Sequence, residues 1–125
     1  MMPVTINNGM AMRAWYDIYQ FGGGREDEDG IRASEKSLGE IIAREKTGKI
    51  FLAGFSQGGA IVLQTALRYP KKLAGVLALS TYLPLAATLP KEGASENKSI
   101  PIFMAHGTQD PVIPLQRARL SREVL

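Results

Sequence analysis

Apolar positions in this chain come in short blocks separated by glycine- and polar-rich turns. Lys49–Ala53 is short, apolar and partly β-branched or aromatic, the pattern of a buried strand. Gly54–Gly59 reads as a glycine-rich turn. Ala60–Tyr69 carries Ile61, Val62, Leu63, Ala66 and Leu67 on most of its sides, which predicts a buried helix ended by Pro70. Leu73–Leu79 and Ile100–Ala105 repeat the buried-strand pattern. Ser80–Ser99 between them reads as a long loop with room for a short helix, and Pro114–Leu125 starts another helix. Upstream, Ile31, Leu38, Ile41 and Ile42 recur at helical spacing after the acidic run Glu26-Asp27-Glu28-Asp29. Acids suit the partial positive charge of a helix N-terminus, so the run reads as a solvated helix start. Lys46-Thr47-Gly48 supplies a stop. Before it, Asn7-Asn8-Gly9 signals a turn and Phe21-Gly22-Gly23-Gly24 a connector. Strands alternating with helices predict an α/β domain: a mostly parallel sheet with helices on both faces.

Composition narrows the classes. A chain of 125 residues, 45% apolar and 22% charged, is one ordinary globular domain, residues 1–125. With no Cys, a disulfide, a thiol nucleophile and a zinc–thiolate site are excluded. One His and scattered carboxylates argue against a transition-metal site. The net charge of +3 is dispersed, so no basic run marks a nucleic-acid partner. Met1–Met12 lacks the basic start and apolar stretch of a signal peptide. Two windows, Ile50–Leu67 and Leu73–Pro90, each run 18 residues without charge. Polar and glycine residues interrupt the first and Ser80-Thr81 and Pro84 the second, so buried strands with a helix or loops fit better than membrane spans.

The chemistry gathers in Gly54-Phe55-Ser56-Gln57-Gly58, a G-x-S-x-G match between a predicted strand and a predicted helix. A nucleophilic serine needs that sharp turn to lift its hydroxyl clear of the sheet. Small residues two places to either side, Gly54 and Gly58, answer the crowding. The amide of Gln57, opening the helix, is a candidate oxyanion donor. Such a serine also needs a base and an orienting acid. Asp110 lies beyond the Ile100–Ala105 strand, at the sheet edge where Ser56 also falls, and is the candidate acid; a turn residue before Pro111 is the plainer alternative. The base is not evident. His106, the single histidine, precedes Asp110 by four residues, and nothing in the sequence carries its ring to Ser56.

These blocks resemble the α/β-hydrolase carboxylesterase/phospholipase family, which includes bacterial carboxylesterases and acyl-protein thioesterases. Ala14-Trp15-Tyr16-Asp17 is similar to its W-[YF]-D segment, Ile50–Gly59 to its nucleophile block, Leu73–Leu85 to the next strand with its S-x-x-L-P loop, and His106–Asp110 to its H-G-x-x-D segment. The resemblance implies a partial α/β-hydrolase lacking both ends of longer members. It implies Ser56 as nucleophile, Asp110 as acid, a catalytic His beyond Leu125, and Trp15 with the Leu83–Leu89 loop lining an acyl pocket. It implies hydrolysis of a small-molecule ester or thioester through an acyl-enzyme, without metal or other cofactor, by a cytoplasmic protein whose homo-oligomerisation is left open. A truncated chain of this kind is expected to be inactive or nearly so alone. A different serine hydrolase, of peptidase or dienelactone-hydrolase type, and a non-catalytic binding module remain the alternatives.

Overall fold

The computed structural model describes residues 1–21, 23–46 and 48–125. Two short antiparallel strands, β1 (Met2–Pro3) and β2 (Ala11–Met12), open the chain. The turn between them uses the expected Asn-Asn-Gly: Asn8 has φ 56° and Gly9 φ 73°, the left-handed region that asparagine and glycine enter most readily. Helix α1 (Glu28–Arg44) follows, then β3 (Phe51–Phe55), α2 (Gln57–Arg68), β4 (Gly75–Leu79), the four-residue α3 (Leu89–Glu92), β5 (Ile102–Ala105) and α4 (Leu115–Val124). The three long strands form a parallel sheet in the order β3-β4-β5, in register at Ala53, Leu77 and Phe103.

Strand alternation sorts the sheet residues into two faces. Leu52, Val76 and Ala78 point to one side and are buried with Val62, Leu63, Ala66 and Leu67 of α2. Helix α1 lies over α2, burying Ile31 and Ile42; Ile31 is fully enclosed, worth about 1.5–3 kcal/mol of apolar transfer. Ile41, expected on that same face, is exposed. The α2 helix is sandwiched between sheet and α1, which explains why it is apolar almost all round. It is also longer at its start than expected: Ser56 is its N-cap, and Gly54 and Phe55 belong to the strand.

The α/β class and parallel sheet are as anticipated, but helical cover on both faces is not what the described residues form. Phe51, Phe55 and Phe103, 70%, 69% and 63% exposed, stand with Leu77 on the side away from α2. Apolar runs along the strands signal burial on both sides, whereas here only one side has a helix on it. The predicted connector at 21–24 and stop at 46–48 are only partly observable, because Gly22 and Thr47 lie outside the described residues. No described helix is long and apolar enough to cross a membrane.

The loop after β4 is tied down by polar side chains. Asn97 is fully buried; its Oδ1 accepts from Leu73 N–H at 2.8 Å and its Nδ2 donates to the Tyr69 and Lys71 carbonyls at 3.0 and 2.8 Å. Ser121 of α4 accepts from Leu83 N–H at 2.8 Å, docking that helix beneath the same loop.

Candidate active site

Strand β3 runs straight into α2 with one residue to reverse direction. That residue is Ser56, at φ 54° and ψ −121°, a conformation costing a non-glycine residue on the order of 1–3 kcal/mol. Its N–H donates to the Leu79 carbonyl at 2.8 Å, and its own carbonyl accepts from Thr81 Oγ1 at 2.7 Å and from Ala60 N–H at 3.1 Å. Neighbouring β4 ends in a second strained serine, Ser80, at φ 49°. Adjacent strands thus break at the same C-terminal edge, where ligands bind in parallel α/β sheets. The backbone holds Ser56 on all sides, while its hydroxyl has no hydrogen-bond partner among the described residues and lines a cavity.

Gln57 opens α2, so its N–H falls in the first turn, where amides lack an intrahelical acceptor. Its side chain does more than the sequence indicated. Oε1 accepts from Trp15 N–H and Nε2 donates to the Tyr16 carbonyl, both at 2.8 Å, clasping the Trp15–Tyr16 segment beside Ser56.

The cavity holds about 50 Å3 and is walled by Ser56, Gln57, Tyr16, Tyr82, Ile113 and Arg117. The Tyr16 and Tyr82 hydroxyls meet at 2.6 Å, and the Arg117 guanidinium lies over the Tyr82 ring, 3.4 Å from its centre. Burial pushes both phenols above their ordinary range. Glu26, also in the wall, is half-buried rather than part of a fully solvated acidic run. Both its oxygens lie 3.2 Å from Leu85 N–H, and burial raises its carboxyl.

Asp110 stands on the loop whose Val112 and Ile113 line this same cavity. Its Oδ1 accepts from Ile113 N–H at 3.0 Å and Val112 N–H at 2.9 Å. Those two bonds, with the His106 ring adding less, hold the carboxyl below its usual range, so Asp110 is ionised at neutral pH. Its Oδ2 is 3.7 Å from His106 Nε2, but that nitrogen meets the Ile113 carbonyl at 2.7 Å. Nε2 therefore carries the proton and donates it to Ile113. The ring is buried and its Nδ1 has no described partner. No hydrogen bond joins His106 to Ser56 among the described residues.

The two residues expected to line an acyl pocket part company. Leu83 is buried in the core with Leu52, Leu63 and Val76, away from the cavity wall. The turn after β4 swings Tyr82 toward Ser56 and Leu83 into the core. Trp15 is 46% exposed, with its indole nitrogen near Gly58 outside the enclosed space. The wall residues that sequence reading passed over are Tyr16, Tyr82, Arg117 and Glu26. Tyr16 and Tyr82 sit inside segments that stood out as patterns, and a polar-tipped aromatic within an apolar block is the signal that marks them. Arg117 has no such signal, because nothing local brings α4 to Ser56.

The whole of residues 1–125 matches the phospholipase/carboxylesterase family. Acyl-protein thioesterase 1 of Schizosaccharomyces pombe is 45% identical over 119 residues, covering 90% of this chain and 53% of the relative. Acyl-protein thioesterase 1 of Gibberella zeae is 38% identical over 137 residues, covering 99% and 58%. Among solved structures, Arabidopsis thaliana SOBER1 superposes with a TM-score of 0.93 at 32% identity, covering 99% of this chain and 63% of that one. The chain spans about half the length of the curated relatives it matches.

Proposed function

The chain belongs to the phospholipase/carboxylesterase family, and from that premise we propose that Ser56 is the nucleophile of a site that hydrolyses carboxylic esters or thioesters. The observation that carries the reading is the strained Ser56 at the β3–α2 turn, its hydroxyl facing a cavity at the start of a helix. Such a turn presents the oxygen to a carbonyl while the helix N-terminus favours the negative charge that develops.

In this reading Ser56 Oγ attacks the acyl carbon and its proton passes to an imidazole. The carbonyl oxygen becomes an oxyanion that accepts from Gln57 N–H. Collapse expels the alcohol or thiol, which takes the proton from the imidazolium, and leaves the acyl group on Ser56. Water repeats the sequence and releases the carboxylic acid. Asp110, already ionised, orients the imidazole and stabilises its cation. We do not assign that role to His106, because its Nε2 is held by the Ile113 carbonyl and no hydrogen bond joins its ring to Ser56 among the described residues. His106 is the single histidine of these 125 residues, so in this reading they turn over substrate alone at a small fraction of the rate of a site with its base in place. Losing a triad member costs on the order of ten thousandfold or more.

A fluorophosphonate probe followed by intact-mass measurement, with p-nitrophenyl acetate turnover alongside, tests the assignment. Slow, stoichiometric labelling is expected in the native chain and in His106→Gln, and none in Ser56→Ala. Labelling that persists in Ser56→Ala would remove Ser56 from the mechanism, and turnover abolished by His106→Gln would make His106 the base.

A further inference from the structure

His106 is the first residue after β5, and its ring is buried with Nδ1 unpartnered among the described residues. Enclosing a polar atom without a partner is unfavourable. Packing alone does not account for the ring, because a leucine would fill that space without the cost. The other nitrogen is what the position uses. Nε2 donates to the carbonyl of Ile113, seven residues on, at 2.7 Å.

The segment so bridged carries Asp110. Ile113 at its end is held in three ways. Its side chain is buried in the cluster that includes Tyr16, Ile61, Tyr82 and Leu85. Its N–H donates to Asp110 Oδ1 at 3.0 Å, and its carbonyl accepts from His106. Val112 N–H adds a second bond to the same Oδ1 at 2.9 Å. The backbone bond within the loop is long, Asp110 N–H to the Gly107 carbonyl at 3.4 Å. Side chains therefore close this loop, and they leave the carboxylate asymmetric. Oδ1 is taken by two N–H groups, while Oδ2 has no hydrogen bond among the described residues. His106 Nε2 lies 3.7 Å from Oδ2, beyond hydrogen-bond range, because its proton is directed at Ile113.

We propose that His106 is a positioning residue for Asp110: its hold on the Ile113 carbonyl closes the acid's loop and keeps Oδ2 free to receive an imidazole. The proposal rests on the reading above that Asp110 orients the base. His106 touches neither substrate nor the reacting atoms, and acts through Ile113.

The test reads Asp110 itself, so it needs no turnover and uses the 125-residue chain as it is. The carboxyl signal of 13C-labelled Asp110 is followed against pH, and amide hydrogen exchange is measured at Ile113 and at Val76, whose N–H donates to the Pro101 carbonyl at 2.9 Å within the sheet. His106→Leu fills the space without a donor. It should move the Asp110 midpoint upward, toward the ordinary carboxylate range, and speed exchange at Ile113 about fivefold or more relative to Val76. His106→Gln is uncharged like the leucine variant but can donate to Ile113, so it should keep both readings near native. The comparison separates the hydrogen bond from the loss of an ionisable ring. If the leucine variant does not fold, His106→Asn, too short to reach Ile113, takes its place. In the native chain at pH 8, a long-range 1H–15N spectrum should place the ring proton on Nε2. An Asp110 midpoint that the leucine or asparagine variant leaves unchanged overturns the proposal. So does a glutamine variant that behaves like leucine, exchange that rises equally at Val76, or a ring proton on Nδ1. Failure of fluorophosphonate labelling at Ser56 would instead defeat the nucleophile assignment and leave the Asp110 titrations standing, so the two ideas fall separately.

Discussion

An added methyl group at Gly54 would lie 2.5 Å from the Gly58 carbonyl group, and one at Gly59 would lie 2.8 Å from Thr81. At Gly58 the nearest atom is the Trp15 indole nitrogen, 3.6 Å away, an ordinary contact. The crowding that lets Ser56 turn so sharply therefore bears on Gly54 and Gly59, where strand and helix backbones nearly touch. Spacing from the serine pairs Gly54 with Gly58, because position along the chain does not show which glycine faces Thr81. Gly59→Ala should cost about 1–3 kcal/mol through overpacking. Gly58→Ala should be neutral or stabilising by up to about 1 kcal/mol, since alanine favours the helix. Urea denaturation of the two variants checks the order, and equal losses would contradict it.

At the level of elements, the start of α1 shows what an acidic run does when packed. Asp27 is the N-cap: one oxygen accepts from Gly30 N–H at 3.1 Å and the other from Asp17 N–H at 2.8 Å. Glu28 pairs with Arg32 one turn on, at 2.9 Å. Glu26 leaves the run altogether to meet Leu85 near the cavity. Three of the four consecutive acids thus share one compositional signal and take different jobs, divided by which neighbour each backbone position faces. Asp27→Ala removes a cap and a tie to the segment that walls the cavity. It should lower stability by about 1–2 kcal/mol and broaden the amide signals of Asp17 and Tyr16. Asp27→Asn, which keeps an acceptor oxygen, should recover most of the loss.

Across the whole molecule, charge ties distant elements together. Glu92 of α3 meets Arg32 of α1 at 2.9 Å and Arg68 of α2 at 3.2 Å. A hydrogen bond from Thr88, then those from Arg32 and Arg68, lower its carboxyl to about 2. A depressed carboxyl contributes stability that is complete above the ordinary glutamate range and lost as pH falls toward about 2. Glu26 has the opposite sign: burial raises it, so its contribution is present at low pH and lost as pH rises through the raised value. Glu92→Gln should flatten the acid limb of a plot of thermal midpoint against pH between about 4.5 and 2. Glu26→Gln should raise the midpoint more at pH 7 than at pH 4. An unchanged acid limb in Glu92→Gln would separate this cluster from acid stability.

Sequence alone determined the class of the molecule and singled out the serine that stands at the strained strand–helix turn. Helix and strand periods differ, turns need glycine or asparagine, and a serine with glycine two places to either side marks a sharp strand–helix junction. Those are local constraints, readable from neighbours along the chain, and together they carried the family resemblance that the comparisons bear out. Tertiary structure decided everything that depends on elements meeting. It sent Leu83 into the core and Tyr82 to the cavity, engaged His106 with Ile113, brought Arg117 from the last helix to within reach of Ser56's pocket, and left one face of the sheet uncovered. A side chain's direction in a loop, and its partner across 35 to 100 residues, follow from packing that no window of sequence contains.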